Sequence, residues 1–385
     1  MRKRLREAWN EPLYKNSLYL IVNSFIMALF GFVFWTLAAK QFSSEDVGLA
    51  TAVISAVSLV ANLSLLGFNV SILKFKDKSL NYTALVLCSI VSFFVASSFL
   101  FGMHLFVPSL QFLSSSGSYA FAFVIFSLIS VVYAILNSIL ISQEKSFIVL
   151  VKDTLFSILK VAFLFFLIGI SGILISWYLG LVIAMIFSVF FIHIEKKWYN
   201  LKKVFDFSFY NYISSILGVL PVLVLPLIIV HYLNASYAAY FYVAWMIANL
   251  LFIIPISMTQ NLLSSGDENK LYKAYMFSLA LVLLGVLVVL LFGELILTLF
   301  NPEYLEGLYL LYILAFSALP YTLRRISQTK LNMQGKVQRA MLMDGITLVV
   351  TLVGSVVFIE YGLIAIGVSW LFANVFALIA VEAKK

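Results

Sequence analysis

Apolar residues run in twelve long blocks separated by short polar breaks. A helix needs about 20 such residues to cross the hydrocarbon core of a bilayer. The pattern predicts spanning helices near 17–39, 46–73, 82–106, 119–142, 147–170, 172–194, 205–231, 236–264, 272–299, 307–333, 337–359 and 362–381. Gly266-Asp267, Asn301-Pro302 and Gly335-Lys336 mark turns between them. Pro221, Pro226, Pro255 and Pro320 fall inside helices 7, 8 and 10. A membrane helix tolerates such prolines because neighbouring groups re-satisfy the freed carbonyls. The expected fold is therefore an all-α polytopic membrane protein.

The sparse polar positions repeat at an offset of 191 residues, close to half the 385-residue chain. Phe101-Gly102 returns as Phe292-Gly293. Gln143-x-Lys145, followed by Asp153, returns as Gln334-x-Lys336, followed by Asp344. Hydrophobicity alone does not produce such matches. They predict two pseudo-symmetric six-helix lobes, at 17–200 and 201–385. Six crossings return the chain to its starting side, so helix 7 runs in the direction of helix 1. The symmetry axis then lies along the membrane normal, with a substrate path expected between helices 1, 2, 7 and 8. Residues 1–16 place Met1, Leu5, Trp9 and Leu13 four apart among basic residues, which predicts an amphipathic helix on the inner leaflet. A signal peptide is the alternative, but helix 1 is too long for its apolar core.

Composition narrows the class. Hydrophobic residues make up 63% and charged residues 11%, against about 25% charged in a soluble domain. No loop has room for a separate catalytic domain. The single Cys88 excludes an intrachain disulfide. The net charge of +8 follows membrane topology rather than a nucleic-acid surface. With the N-terminus in the cytoplasm, 23 of the 25 Lys and Arg fall on the inner side, counting Lys145 and Lys152 at the 4–5 turn and Arg324 and Arg325 near the 10–11 turn. Lys40 falls outside and Lys160 inside the membrane, while Glu45, Asp46, Glu303, Glu306 and Glu360 lie on outer loops. The positive-inside rule then puts both termini in the cytoplasm of a cell-membrane protein.

Ionisable residues at membrane depth are functional candidates, because each costs roughly 2.5–3.5 kcal/mol on insertion scales. Lys160 is the sharpest. It lies 15 residues past the 4–5 turn, roughly 22 Å along a helix at about 1.5 Å per residue. Arg324 and Arg325 offer forked donors suited to phosphate. They point about 100° apart, so one is expected to face a cavity. Asp153 and Asp344, equivalent by the repeat, are candidates for a gate or ion-coupling role, or for structural locking of the inner turns. Lys40, with Glu45 and Asp46, is placed to close an outer vestibule. Asn23, Asn62 and Asn211 offer hydrogen bonds to a sugar or between helices. Tyr240 and Tyr242 are candidates for stacking on sugars. His104, His193 and His231 are scattered, so neither a metal site nor any other cofactor is expected.

One stretch resembles a known family. Helix 1 ends Trp35-Thr-Leu-Ala-Ala-Lys40, followed by Ser43-Ser44-Glu45-Asp46-Val47-Gly48-Leu49-Ala50 and then Leu63-Ser64-Leu65-Leu66-Gly67-Phe68. This is similar to the opening of polysaccharide-biosynthesis flippases in the multidrug/oligosaccharidyl-lipid/polysaccharide exporter superfamily. Helix 8 repeats the pattern loosely, from Leu233-Asn234-Ala235-Ser236 into Tyr240-Phe241-Tyr242-Val243-Ala244. The resemblance is most specific over 16–75. It implies translocation of a lipid-linked saccharide by alternating access, with membrane lipids, H+ or Na+ as coupling ion and glycan-assembly proteins as partners. Lysine and arginine at depth would then meet the phosphate of the substrate: Lys160, Arg324 and Arg325, with Asn23 and Lys40 on the same path.

The chain departs from the superfamily's other branches. Lipid II flippases typically have fourteen helices and basic residues early in the first lobe, but here no Arg lies between Arg6 and Arg324. Drug exporters often carry acids deep in the first lobe, where this chain has Asp153 alone, nearer the cytoplasmic end. The alternatives are a cation-coupled multidrug exporter and a polytopic polyprenyl-dependent glycosyltransferase or polymerase. The last would want a large outer loop or an acid cluster for metal and base.

Overall fold

The structure is a computed structural model that describes residues 12–265 and 271–382. The expected amphipathic segment at 1–16 lies mostly outside the described residues. Twelve long helices follow one another: α1 Pro12–Gln41, α2 Ser44–Ser64, α3 Lys78–Phe106, α4 Gly117–Ser142, α5 Ser146–Leu164 and α6 Gly169–Val189, then α7 Leu201–Tyr232, α8 Ala235–Ser265, α9 Leu271–Thr298, α10 Leu308–Met333, α11 Val337–Val357 and α12 Leu363–Glu382. All four predicted prolines sit inside α7, α8 and α10.

Among the described residues, eleven of the twelve are long and apolar enough to cross a membrane. The exception, α5, carries Lys152, Asp153 and Lys160 within 19 residues. All three lie on its buried stripe with Val149, Phe156, Ser157 and Leu164, so the helix turns its charges inward. Elsewhere the usual pattern of a water-soluble protein is inverted. In α9 the buried positions between Leu271 and Leu297 at its ends are Ala274, Ser278, Val282, Val286, Val289 and Gly293, all small or medium-sized. Leu283, Leu287, Leu291 and Leu295 point outward. Small residues at helix contacts and large apolar residues outside suit a lipid surround. This is a multi-pass membrane protein.

Local chemistry sets the helix ends. Ser43 and Asp46 form a reciprocal cap at the start of α2: the Asp46 N–H donates to Ser43 Oγ at 3.1 Å and Ser43 Oγ donates to Asp46 Oδ2 at 2.9 Å. Asp77 caps α3 by accepting from the Ser79 N–H at 2.8 Å and the Ser79 hydroxyl at 2.7 Å. These bonds hold its carboxyl below the usual range. The second predicted helix is interrupted. Leu66 and Gly67 adopt φ of 47° and 77°, ending α2 and starting a separate short helix, Phe68–Phe75. The apolar block continues across the break, so hydropathy did not reveal it; the left-handed conformation favoured by Gly67 makes it.

The chain divides into two compact units. One runs through Phe42 and resumes over Ala56–Tyr212; the other holds Ser43–Ser55 and Ile213–Lys385. In the first unit α3 packs on α4, α4 on α6, α5 on α6, and α1 on α5. In the second, α9 packs on α10, α10 on α12, α11 on α12, and α8 on α10. The first three pairings of each list correspond under the repeat. The α4–α5 and α10–α11 turns correspond bond for bond: the Lys145 N–H donates to Leu140 O at 2.9 Å, and the Lys336 N–H to Leu331 O at 2.8 Å. Glu144 and Gly335, 191 apart, hold φ of 58° and 73° in these turns.

Candidate functional site

Each unit builds a polar cluster on its repeated acid. In the first, Asp153 of α5 accepts from Tyr133 OH of α4 at 2.6 Å and from Asn23 Nδ2 of α1 at 2.8 Å. Lys152 Nζ lies 3.1 Å from Asp153 Oδ1 and 3.2 Å from the centre of the Tyr133 ring. Lys152 is fully buried, although its sequence position reads only as a basic residue near the 4–5 turn. Asn23 Oδ1 is buried without a hydrogen-bond partner.

In the second unit, Asp344 of α11 accepts from Arg324 at 2.9 Å and Gln328 Nε2 at 2.6 Å, both of α10, with Ser214 Oγ of α7 farther off at 3.4 Å. Arg324 Nε also donates to Asn374 Oδ1 of α12 at 2.8 Å. Arg324 and Asp344 are both buried. Adding 191 to 23, 133 and 153 gives 214, 324 and 344. The two clusters are thus the same construction with different chemistry: tyrosine and asparagine hold one acid where arginine and serine hold the other. Arg325 points differently, as its 100° offset predicts. It is half-buried, donates to Gln328 Oε1 at 3.0 Å, and leaves its Nε buried without a partner.

Lys160 lies seven residues beyond Asp153 on the same buried stripe and is 1% exposed. Its Nζ stands 4.5 Å from the centre of the Trp177 ring, 4.8 Å from Phe156 and 5.4 Å from Phe34. No ion pair or hydrogen bond holds it among the described residues. A cation over one ring gains from about 0.5 to about 2 kcal/mol as water is excluded, less than a buried ion pair offers in attraction. Position 351, its repeat equivalent, is a threonine, so this cation belongs to the first unit alone. Gly180 lets α6 approach here, since a Cβ at that position would lie 3.0 Å from the Lys160 nitrogen of the backbone.

The other expected residues take no part in the bonds described for these clusters. Lys40 is exposed at the end of α1, and Asp46 is engaged with Ser43 in the cap of α2. Asn62 donates to Ser58 O within its own helix. The side chain of Asn211 lies outside the described residues. Tyr240 packs against Tyr237 and Tyr304. Among the described residues no group of His, Cys, Asp and Glu is placed to hold a metal. Sequence reasoning missed Tyr133, Gln328, Asn374 and the aromatic ring set around Lys160. Applying the 191-residue offset to every polar position finds Tyr133, because it falls on Arg324.

No protein-family model matches the chain, and no curated protein matches it in sequence. Solved structures do. The lipid II flippase MurJ in an inward closed conformation matches with a TM-score of 0.76 at 15% identity, over 96% of this chain and 87% of that one. The MATE multidrug transporter DinF-BH in complex with R6G gives 0.69 at 14% identity, over 98% and 95%. An inward-facing multidrug resistance MATE family transporter of the MOP superfamily gives 0.62 at 16% identity, over 96% and 94%. At these identities the likeness shows the fold: twelve helices in two lobes, as the repeat predicts.

Proposed function

We propose that the chain is a flippase that moves a polyprenyl-(pyro)phosphate-linked oligosaccharide across the cytoplasmic membrane by alternating access, for assembly of cell-surface glycans. One observation carries the reading. Five Asp, Glu, Lys or Arg side chains are buried among the described residues: Asp153, Asp344, Lys152, Lys160 and Arg324. Both acids are paired with a cation of their own unit, and Lys160 is left over. A buried cation is costly without an anion, and the phosphate of a lipid-linked saccharide supplies one. Arg325, with its unpartnered Nε, is a further donor in the second unit. Lys40 and Asn23 are weaker candidates, since Asn23 already donates to Asp153. The fold likeness to a lipid II flippase supports the same reading.

In this account Asp153 is the coupling acid for H+ or Na+. Its partners include no guanidinium, and Asn23 Oδ1 beside it is free to accept. Asp344, bound to Arg324, is the static counterpart. Both termini face the cytoplasm. A cation-coupled multidrug exporter is the second reading, favoured by the likeness to MATE transporters. Export of cations calls for surplus negative charge, whereas the surplus here is positive. Liposomes carrying the purified protein, with fluorescent lipid-linked saccharide and a leaflet-specific quencher, test the two together. The flippase reading expects saccharide lipid to change leaflet and a cationic dye to stay. The reverse result overturns it.

A further inference from the structure

Lys160 occupies a shape that recognises cations in its own right. Phe34 comes from α1, Phe156 from α5 and Trp177 from α6. The rings meet edge to face: Phe34 and Trp177 lie 5.5 Å apart at 70°, and Phe156 and Trp177 5.5 Å apart at 79°. Trp35 backs the group, 5.2 Å from Phe34 and 6.0 Å from Trp177. This locks the ring planes through aromatic contacts, so the box does not depend on the lysine for its shape. Its ring faces, which carry the negative side of the quadrupole, surround the ammonium within 5.4 Å. Boxes of this kind select alkylated ammonium groups, because the rings attract a diffuse, weakly hydrated cation without demanding hydrogen bonds. Trp177 is partly exposed, whereas Phe34, Phe156 and Lys160 are buried.

We propose that Phe34, Phe156 and Trp177 form an ammonium-binding site, filled in this state by the chain's own Lys160. The lysine is a tethered occupant that excludes free cations. Shortening it opens the site to a small alkylammonium ion. The inference concerns the box alone and stands whether or not the protein moves saccharide lipids.

The test uses purified full-length protein in detergent, titrated with tetramethylammonium chloride against sodium chloride at equal ionic strength. Thermal midpoint and tryptophan emission are the readouts. Lys160→Ala is expected to gain a saturable rise in midpoint with tetramethylammonium. Wild type, whose box is full, and the double variant Lys160→Ala/Trp177→Leu are expected to show none. A folded Lys160→Ala protein with no response overturns the proposal, as does an equal response in all three proteins. If Lys160→Ala does not fold, a double-mutant cycle of Lys160→Met and Phe156→Leu decides. The proposal expects Phe156→Leu to lower the midpoint more when Lys160 is present than when it is replaced. Equal shifts in the two backgrounds overturn it.

Discussion

Replacing Arg324 by methionine removes a buried guanidinium and leaves the Asp344 carboxylate where it was. Arg324 is 4% exposed and Asp344 5%. The arginine makes two short bonds, 2.9 Å to Asp344 and 2.8 Å to Asn374. After substitution the acid keeps Gln328 at 2.6 Å and the distant Ser214. Removing one partner of a buried pair costs about 3–5 kcal/mol, mostly because the other charge stays buried. Neutralising both partners restores much of this, so Arg324→Met/Asp344→Asn is expected to be more stable than Arg324→Met alone. A surface pair gives the scale. Lys76 and Glu144 lie 3.7 Å apart with side chains 57% and 61% exposed, so Lys76→Met is expected to cost at most about 1 kcal/mol. Thermal midpoints in detergent, followed by size-exclusion profile, rank the four proteins. Wild type and Lys76→Met should lead, the double variant follow, and Arg324→Met come last. An Arg324→Met protein as stable as wild type refutes the reasoning. So does a double variant no better than the single.

Three further outcomes follow from the same geometry. Tyr133→Phe deletes the 2.6 Å bond to Asp153 but leaves Asn23 and Lys152 in place, so a loss of about 1.5–3 kcal/mol is expected in the same melting assay. Gly48→Ala sets a Cβ 1.6 Å from Ala235 O; the helix starts must separate, and a drop of about 1–3 kcal/mol in stability is expected. Cysteines at the exposed Lys76, Lys197 and Lys336 should react with impermeant thiol reagents from the cytoplasmic side only, and one at Ser115 from outside only. Native Cys88 is buried and gives no background, while reversed labelling would overturn the orientation.

Much of this architecture is legible before folding because a bilayer constrains sequence so strongly. Twelve apolar blocks became twelve long helices, and the pair Asp153 and Asp344 took equivalent places. What stayed hidden depends on contacts between helices. Lys152 reads as one more basic residue near the 4–5 turn; only the packing of α5 against its neighbours shows it buried. Tyr133 and Arg324 share one position in the repeat, but differing residue types conceal it. Phe34, Phe156 and Trp177 are three aromatics among many, and nothing in their spacing says that they converge on Lys160. Arg324 and Arg325 read alike as a pair, yet the structure gives one to Asp344 and leaves the other partly free.

The central claim is that Lys160, the buried cation without an acid, meets the anionic phosphate of a lipid-linked saccharide. Its most direct test is the initial rate of leaflet exchange of that lipid in liposomes, comparing wild type, Lys160→Met and Lys160→Arg at equal reconstituted amounts and limiting substrate. The account predicts that Lys160→Met inserts normally, since losing an unpaired charge removes a desolvation cost, and that its rate falls well below wild type. Lys160→Arg should keep part of the rate, because charge is retained while head-group geometry changes. A Lys160→Met protein that exchanges the lipid at the wild-type rate contradicts it.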